Sequence, residues 1–521
     1  MSETYNCKRH GKEQIRATFI SLSQKDLFVG LRFVPEIKDF MDDSIKSLSV
    51  KGVKWSATGG FLTTGTSFVV GLVIARILTP EDYGIVGMLS VFVAISQVFV
   101  NSGFSAALVR MTDRTMDDYA TAFYFNVVVG VFAYGCLFLT APNIAAFYKM
   151  PILIDILRVF ALVLIIQALQ IVPQTKLIVA VDFKTQALVT LFASLLSGTI
   201  GILMAYRGYG VWALVWQSII NTVICVIMFW KMTRWKPWEG RFTRASFNRL
   251  FSFGSKLLAS ALLHKTYMNV SALLIGKFYT SADLGYYKRG QQIAEKPSMY
   301  LSDIFQRVSY PILSKLQDDD ETLSRTYRRY QGMSSIVVFF LMVLLAAVAK
   351  PLVLLLLTEK WIGAVPFLRI FCLALIFDHL CSFNNNMMYV KGRSDIFLRL
   401  EIIKKVIVFP LLLLAIPYGV IAICFVPVVH EMVDLAIGTY YVRRLFGAYK
   451  TNPLKDYGVY LFCSIVANLP AFFCCSLDIS PWFSLPIAVI CSTSIYLGLL
   501  WRDKNMKDMV KIVKGSDIHT I

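Results

Sequence analysis

Charge is what this chain has least of for its length. Only 16% of its 521 residues are Asp, Glu, Lys or Arg, while 56% are hydrophobic and 14% aromatic, which excludes a soluble globular protein of this size. Acidic side chains are the scarcer sign, 33 against 52 Lys and Arg, leaving a net charge of +19. No apolar run follows the first charged residues, so the signal-peptide pattern is missing. There is no phosphate-cradling glycine loop, nucleophile motif or metal constellation. The ten cysteines form no framework either. Cys136, Cys225, Cys372, Cys381, Cys424, Cys463 and Cys491 fall inside apolar stretches as small hydrophobes, and the adjacency of Cys474 and Cys475 is poor disulfide geometry. These absences argue against a cofactor, a metal site and a catalytic centre.

What is present is a succession of helix-length apolar stretches. A helix needs roughly 20 apolar residues to cross the hydrocarbon of a bilayer, and an unclosed sheet would leave backbone groups unpaired there. The expected fold is therefore an all-α integral membrane protein of about fourteen transmembrane helices. Lys and Arg concentrate in alternate connections, for example Lys231 to Arg249, Arg307 to Arg329, and Arg443 to Lys455. That asymmetry makes those connections and both termini cytoplasmic in a multi-pass membrane protein. Topology and anionic lipid then account for the positive charge, with no nucleic-acid partner.

Residues 1–43 contrast with the rest and read as a cytoplasmic N-terminal extension, either disordered or untranslated if Met41 is the true start. Beyond them an internal repeat organises the chain. Ile74-Ala75-Arg76-Ile77-Leu78-Thr79-Pro80-Glu81-Asp82-Tyr83-Gly84 matches Ile275-Gly276-Lys277-Phe278-Tyr279-Thr280-Ser281-Ala282-Asp283-Leu284-Gly285 at an offset of 201 residues, with a basic residue third in both copies. Thr79 and Thr280 are each placed to cap the next helix beside an Asp in its first turn. About six spans separate the copies, an even number, so the halves run in the same direction as parallel repeats. The expected units are 44–240 (spans 1–6), 241–445 (spans 7–12), and 446–521 (two further spans and a basic cytoplasmic tail).

Two spans stand out at the start of the second unit. Leu250 to Tyr279 and Asp283 to Arg307 carry Lys256, His264, Lys265, Lys288, Arg289, Glu295, Lys296 and Asp303. Ionisable groups at bilayer depth face water or a partner and mark transport paths. Lys256, Ser260 and His264 share a face by four-residue steps, and Arg289, Gln292, Lys296 and Asp303 form a second stripe. Snorkelling of Lys288 and Arg289, and pairing of Asp303 with Arg307, are the structural alternatives. Pro297 is expected to kink its helix. The equivalent first-half spans are also polar, with Gln97 and Asn101 among their side chains, which suits a cavity between halves. Asp378 with His379, Asp155 with Arg158, and His430 with Glu431 and Asp434 read as local helix pairs or as proton-coupling groups.

The stretches Thr79-Pro80-Glu81-Asp82-Tyr83-Gly84, Ala122-Phe123-Tyr124-Phe125-Asn126, Ala145-Ala146-Phe147-Tyr148 and Gly208-Tyr209-Gly210-Val211-Trp212-Ala213-Leu214, with Leu274-Ile275-Gly276-Lys277, Tyr310 to Gln317 and Glu359-Lys360-Trp361, resemble the bacterial oligosaccharide flippase family. The resemblance runs from about Ser44 to Gly447. It implies the two-bundle architecture around a central cavity shared with multidrug and toxin extruders, and a role in moving a polyprenyl-diphosphate-linked oligosaccharide, such as a lipopolysaccharide, O-antigen or exopolysaccharide unit, across the cytoplasmic membrane. On that footing Lys256, Lys265, Arg289 and Lys296 are expected to face the diphosphate. Arg76 is expected at an outer gate, with Gln97, Asn101, His264 and Gln292 lining the cavity. Glu295 and Asp303 are candidates for cation coupling. Where the family shows an acidic residue before Leu-Ile-Gly, this chain has Ser271, which puts that coupling role in doubt. The partners implied are the lipid-linked glycan, membrane lipid and polysaccharide assembly proteins, with the chain a monomer. The alternatives are a cation-coupled drug extruder of the same superfamily and, further off, a membrane polysaccharide polymerase or ligase.

Overall fold

The computed structural model describes residue 60 and residues 62–446, 453–477 and 480–513. The expected extension over 1–43 lies outside them, as does the end of the basic tail. Every regular element described is helical. In chain order the α-helices are α1 (Leu62–Ile77), α2 (Pro80–Asn101), α3 (Phe104–Arg110), α4 (Met116–Tyr148), α5 (Leu153–Phe160), α6 (Leu162–Val179), α7 (Phe183–Tyr206), α8 (Val211–Thr233), α9 (Arg244–Phe278) and α10 (Ser281–Lys315). They continue with α11 (Asp320–Ala347), α12 (Ala349–Leu357), α13 (Ala364–Leu375), α14 (Asp378–Val390), α15 (Ser394–Ala415), α16 (Val420–Phe446), α17 (Pro453–Ser476), α18 (Pro481–Leu500) and α19 (Lys504–Val513).

Ten helical stretches are long and apolar enough to cross a bilayer, with α2–α3, α5–α6 and α13–α14 each counting as one. The short apolar α1 and the long but charged α9, α10 and α15 are consistent with the expected total. Pro297 and Pro311 lie inside α10, which continues as one helix past both.

Identical caps open α2 and α10. Thr79 and Thr280 each accept a hydrogen bond from the backbone N–H three residues on, while Asp82 and Asp283 reach back to the capping threonine, satisfying donors that a helix start leaves free. The first bundle gathers α2 and α4 to α8, and the second gathers α10 to α16, with α17 and α18 packed on α11 and α12. The helix α9 starts the second half of the sequence yet docks on the first bundle. Its Arg249 is paired with the buried Asp118 and with Asp113 at 2.9 Å, and the preceding linker donates Arg241 N–H to Asp117 at 2.8 Å.

Candidate functional site

The two repeat copies meet each other. A Cβ on Gly84 would stand 1.7 Å from the Ser281 carbonyl oxygen, and one on Gly285 would stand 2.0 Å from that of Pro80, so only glycine permits the crossing of α2 and α10. Since Ser281 and Gly285 are the repeat equivalents of Pro80 and Gly84, the contact is reciprocal about a pseudo-two-fold axis. The basic residues in third place extend the same symmetry. Arg76 donates to the carbonyls of Leu355 and of Leu356 (2.9 Å) at the end of α12, and Lys277 donates to the carbonyl of Phe147 at the end of α4. Each cation thus caps the carbonyl terminus of a helix from the other half of the sequence, where the helix dipole is negative.

Inside this clasp lies Arg289, 6% exposed. Its guanidinium donates to the Gly71 carbonyl at 3.1 Å and to Gln292 Oε1 at 3.3 Å, and stands over the rings of Tyr83 (4.6 Å) and Trp361 (5.2 Å). Trp361 is fully buried and donates its indole N–H to the Ala75 carbonyl at 2.8 Å. Lys360 donates to the Ile77 carbonyl at 3.3 Å. Groups of α1 and α2 are therefore tied to α10 and to the loop before α13, and the repeat end of the molecule is shut.

Away from the clasp the interior opens. None of residues 255–271 of α9 is buried, although Leu250, Gly254, Ala272, Ile275 and Gly276 on either side are. A membrane helix accessible around its whole girth has open space on more than one side. Lys256, His264 and Lys265 all sit on this stretch, exposed, with no side-chain hydrogen bond or ion pair among the described residues. On α10 the small residues Ser298, Ser302 and Ser309 are buried. Lys296, Asp303 and Arg307 are exposed, and no ion pair joins Asp303 to Arg307. Gln292 is exposed just beyond Arg289, Gln97 is half-buried on α2, and Asn101 is exposed at its end. Glu295 is half-buried and accepts from Gln291 at 2.6 Å. The stripe read from the sequence thus exists, but its first member, Arg289, is sealed into the clasp with Arg76 nearby, while Lys256, Lys265 and Lys296 make no side-chain hydrogen bond or ion pair among the described residues.

A model of polysaccharide biosynthesis proteins matches residues 73–366. The chain belongs to the polysaccharide biosynthesis protein family. Among related proteins, the teichuronic acid biosynthesis protein TuaB of Bacillus subtilis is 24% identical over 68% of this chain and 73% of its own. The lipopolysaccharide biosynthesis protein WzxC of Escherichia coli is 22% identical over 70% and 75%, and the succinoglycan biosynthesis transport protein ExoT of Rhizobium meliloti is 24% identical over 66% and 69%. The fold is that of the lipid II flippase MurJ in an inward closed conformation, with a TM-score of 0.69 at 15% identity over 86% of this chain and 99% of that one. An inward-facing MATE family multidrug resistance transporter of the MOP superfamily superposes with a TM-score of 0.56 at 14% identity, over 73% and 95%. The expected two-bundle, multidrug-extruder-like fold class is borne out.

In this family member a second charged cluster, unforeseen in its main parts, lies among α14, α15 and α16. Lys404, 3% exposed, is paired with Glu401 and with Asp434 at 3.1 Å. Cys381 Sγ and carboxylate oxygens of Glu431 and Asp434 gather within 4.8 Å of one another, with the Lys404 ammonium on Asp434 and His430 on Glu431. Asp378 does not pair with His379. It accepts from Ser302 at 3.0 Å and Ser298 at 3.5 Å on α10, whereas His379 meets the Ser335 hydroxyl at 3.0 Å. Arg158 stands over Phe138 at 4.4 Å instead of bridging to Asp155, and only His430 and Glu431 form the local pair, at 3.2 Å. Trp361 was visible in the sequence as part of the Glu359-Lys360-Trp361 stretch that carries the resemblance, but its partner carbonyl on α1 was not. Lys404 and Glu401 lie one helical turn apart, and that spacing was their available signal.

Proposed function

We infer that this family member is a flippase that carries a polyprenyl-diphosphate-linked oligosaccharide across the cytoplasmic membrane by alternating access, and that it is a transporter and not an enzyme. The observation that carries the reading is the reciprocal clasp of the two repeats, which shuts one end while charged stretches of α9 and α10 stay accessible toward the other. Lys and Arg crowd that other end, at Arg241, Arg244, Arg249, Arg307, Lys315, Arg325, Arg328 and Arg329. By the positive-inside rule it is cytoplasmic, so the clasp is periplasmic and the conformation faces inward.

The chemistry follows from what crosses. A diphosphate and a chain of sugar hydroxyls cannot enter hydrocarbon unaided, because each desolvated polar group costs several kcal/mol. Lys256, Lys265 and Lys296 offer ammonium groups that no hydrogen bond or ion pair among the described residues ties down, and these can replace water at the diphosphate. Gln292, His264, Gln97 and Asn101 offer hydrogen bonds to the glycan. Arg289 and Arg76 hold the periplasmic gate, and their release from backbone carbonyls is the step that opens it. Relatives bearing the names of lipopolysaccharide and succinoglycan proteins support this cargo class.

Reconstitution into liposomes with a fluorescent polyprenyl-diphosphate glycan tests the reading. Quenching from the outer face should show translocation that the Lys265→Gln, Lys296→Gln double variant loses while inserting normally. Normal translocation by that variant would overturn the lysine assignment, and none by the wild type would overturn the function.

A further inference from the structure

A separate cavity of about 620 Å³ opens at the basic end, away from the space between the bundles, lined by Arg325, Arg328, Arg329, Tyr457, Lys504 and Asp508. We propose that it is a binding site for the phosphate of an anionic membrane lipid headgroup. Its walls come from α11, the start of α17, and α19. Two of the lining cations are already neutralised: Arg329 pairs with Asp508 at 3.0 Å, and Arg325 with Glu321 at 3.0 Å. Two are not. Arg328 has only the Ser324 hydroxyl at 3.5 Å, and Lys504 has no hydrogen bond or ion pair among the described residues. A pocket holding two uncompensated cations is matched by one phosphate, which Arg grips as a planar fork and Lys as a point charge.

The position of Lys504 strengthens the case. As the first residue of α19 it sits where the helix dipole disfavours a cation, so within the protein its charge is a cost without a counter-ion. The helix that carries it is fixed firmly. A Cβ on Gly332 of α11 would lie 2.5 Å from Asn505 Nδ2, Asn505 donates to the Tyr460 hydroxyl at 2.9 Å, and Met506 and Met509 pack against the second-bundle clusters. The cavity is therefore built and not a crevice between loose side chains.

Depth points to lipid. Trp501, which ends the preceding span, is 77% exposed, as aromatic residues are at the level of headgroups. The amphipathic α19, with lysines on its polar side, lies at that level as interfacial helices do. Basic pockets between spans on the cytoplasmic side are the places where anionic headgroups bind.

The test is calorimetric titration of the detergent-purified full chain with dihexanoyl phosphatidylglycerol, dihexanoyl phosphatidylcholine and inorganic phosphate. The glycerol lipid should bind clearly more tightly than the choline lipid, whose headgroup charge is neutral. In the Arg328→Gln, Lys504→Gln double variant that binding should weaken by about thirtyfold. Arg393→Gln, at the same end but paired with Asp395, should leave it unchanged, and Arg328→Lys should retain part of it in a protein that elutes normally. Inorganic phosphate binding as tightly as the glycerol lipid would support the anion site and assign its occupant to solution. Equal binding of the two lipids with no phosphate binding, or undiminished binding by the double variant, would overturn the proposal.

Discussion

Arg76 and Lys277 hold the same place in two copies of one motif, and each reaches the carbonyl end of a helix from the other half of the sequence, Arg76 to Leu355 and Leu356 and Lys277 to Phe147. The two contacts are halves of one symmetric latch. Arg76→Ala and Lys277→Ala should each weaken the clasped end by about 1–3 kcal/mol, as loss of a charge-assisted hydrogen bond does. Spin labels across the clasp should report a larger open population in both variants, and more in the double variant than in either. A wild-type distance distribution in the double variant would remove the latch role.

Gly84 and Gly285 make the latch possible by letting backbones touch. Gly84→Val or Gly285→Val would force the helices apart, since the obstacle is a carbonyl and not a movable side chain, at a cost of about 1–3 kcal/mol. The two substitutions should act alike, shifting the protein away from the clasped state. A Cβ at position 87 meets the movable tip of a side chain, 3.3 Å from Leu284 Cδ2, so Gly87→Ala should be tolerated far better than Gly84→Ala in thermal unfolding and in transport.

Trp361 fills the centre of the clasp and is fully buried. Trp361→Ala should destabilise the protein by about 3–5 kcal/mol, because it leaves a cavity as well as an unpaired Ala75 carbonyl. Trp361→Phe keeps most of the volume and loses the hydrogen bond, so it should retain the fold and lower the barrier to opening. Thermal unfolding in detergent, read beside transport rate, separates the two effects.

Lys404 is ringed by carboxylates. Lys404→Met alone should cost about 3–5 kcal/mol by stranding Asp434 at depth, Glu401 keeping Lys405 at 3.5 Å, whereas Lys404→Met combined with Glu401→Gln and Asp434→Asn should recover most of it. Full transport by the triple variant would make the cluster structural; a folded but inactive triple variant would give it a part in the cycle.

The exposed lysines make the opposite prediction. Lys265→Gln and Lys296→Gln remove no buried contact, so melting temperature should stay within about 0.5 kcal/mol equivalents of wild type. Translocation should fall sharply, because the lost charge acts only when the anion is present.

Much of the fold was legible in the order of residues. Apolar length gave the spans, Lys and Arg asymmetry gave the expected sidedness, and Thr79-Asp82 beside Thr280-Asp283 showed both the repeat and its helix starts, because caps and hydropathy are local properties of a few adjacent residues. The stripe on α10 was readable for the same reason: helical spacing alone puts Arg289, Gln292 and Lys296 on one side. The separation within that stripe was not readable. Arg289 is buried and Lys296 exposed because α2 and the Trp361 loop close over the polar face of α10 at Arg289 and leave that face uncovered at Lys296.

The sequence by itself determined that this is a helical membrane protein built twice over, since the bilayer admits little else for a chain so apolar, and it marked which helices carry charge. Tertiary structure alone decided that the repeats clasp reciprocally, that Arg76 and Lys277 cap helices of the other sequence half, and that Lys404 is locked while Lys265 has no side-chain partner among the described residues. Those outcomes depend on backbone approach between segments some two hundred residues apart in the chain, where contact is set by how small residues let helices cross.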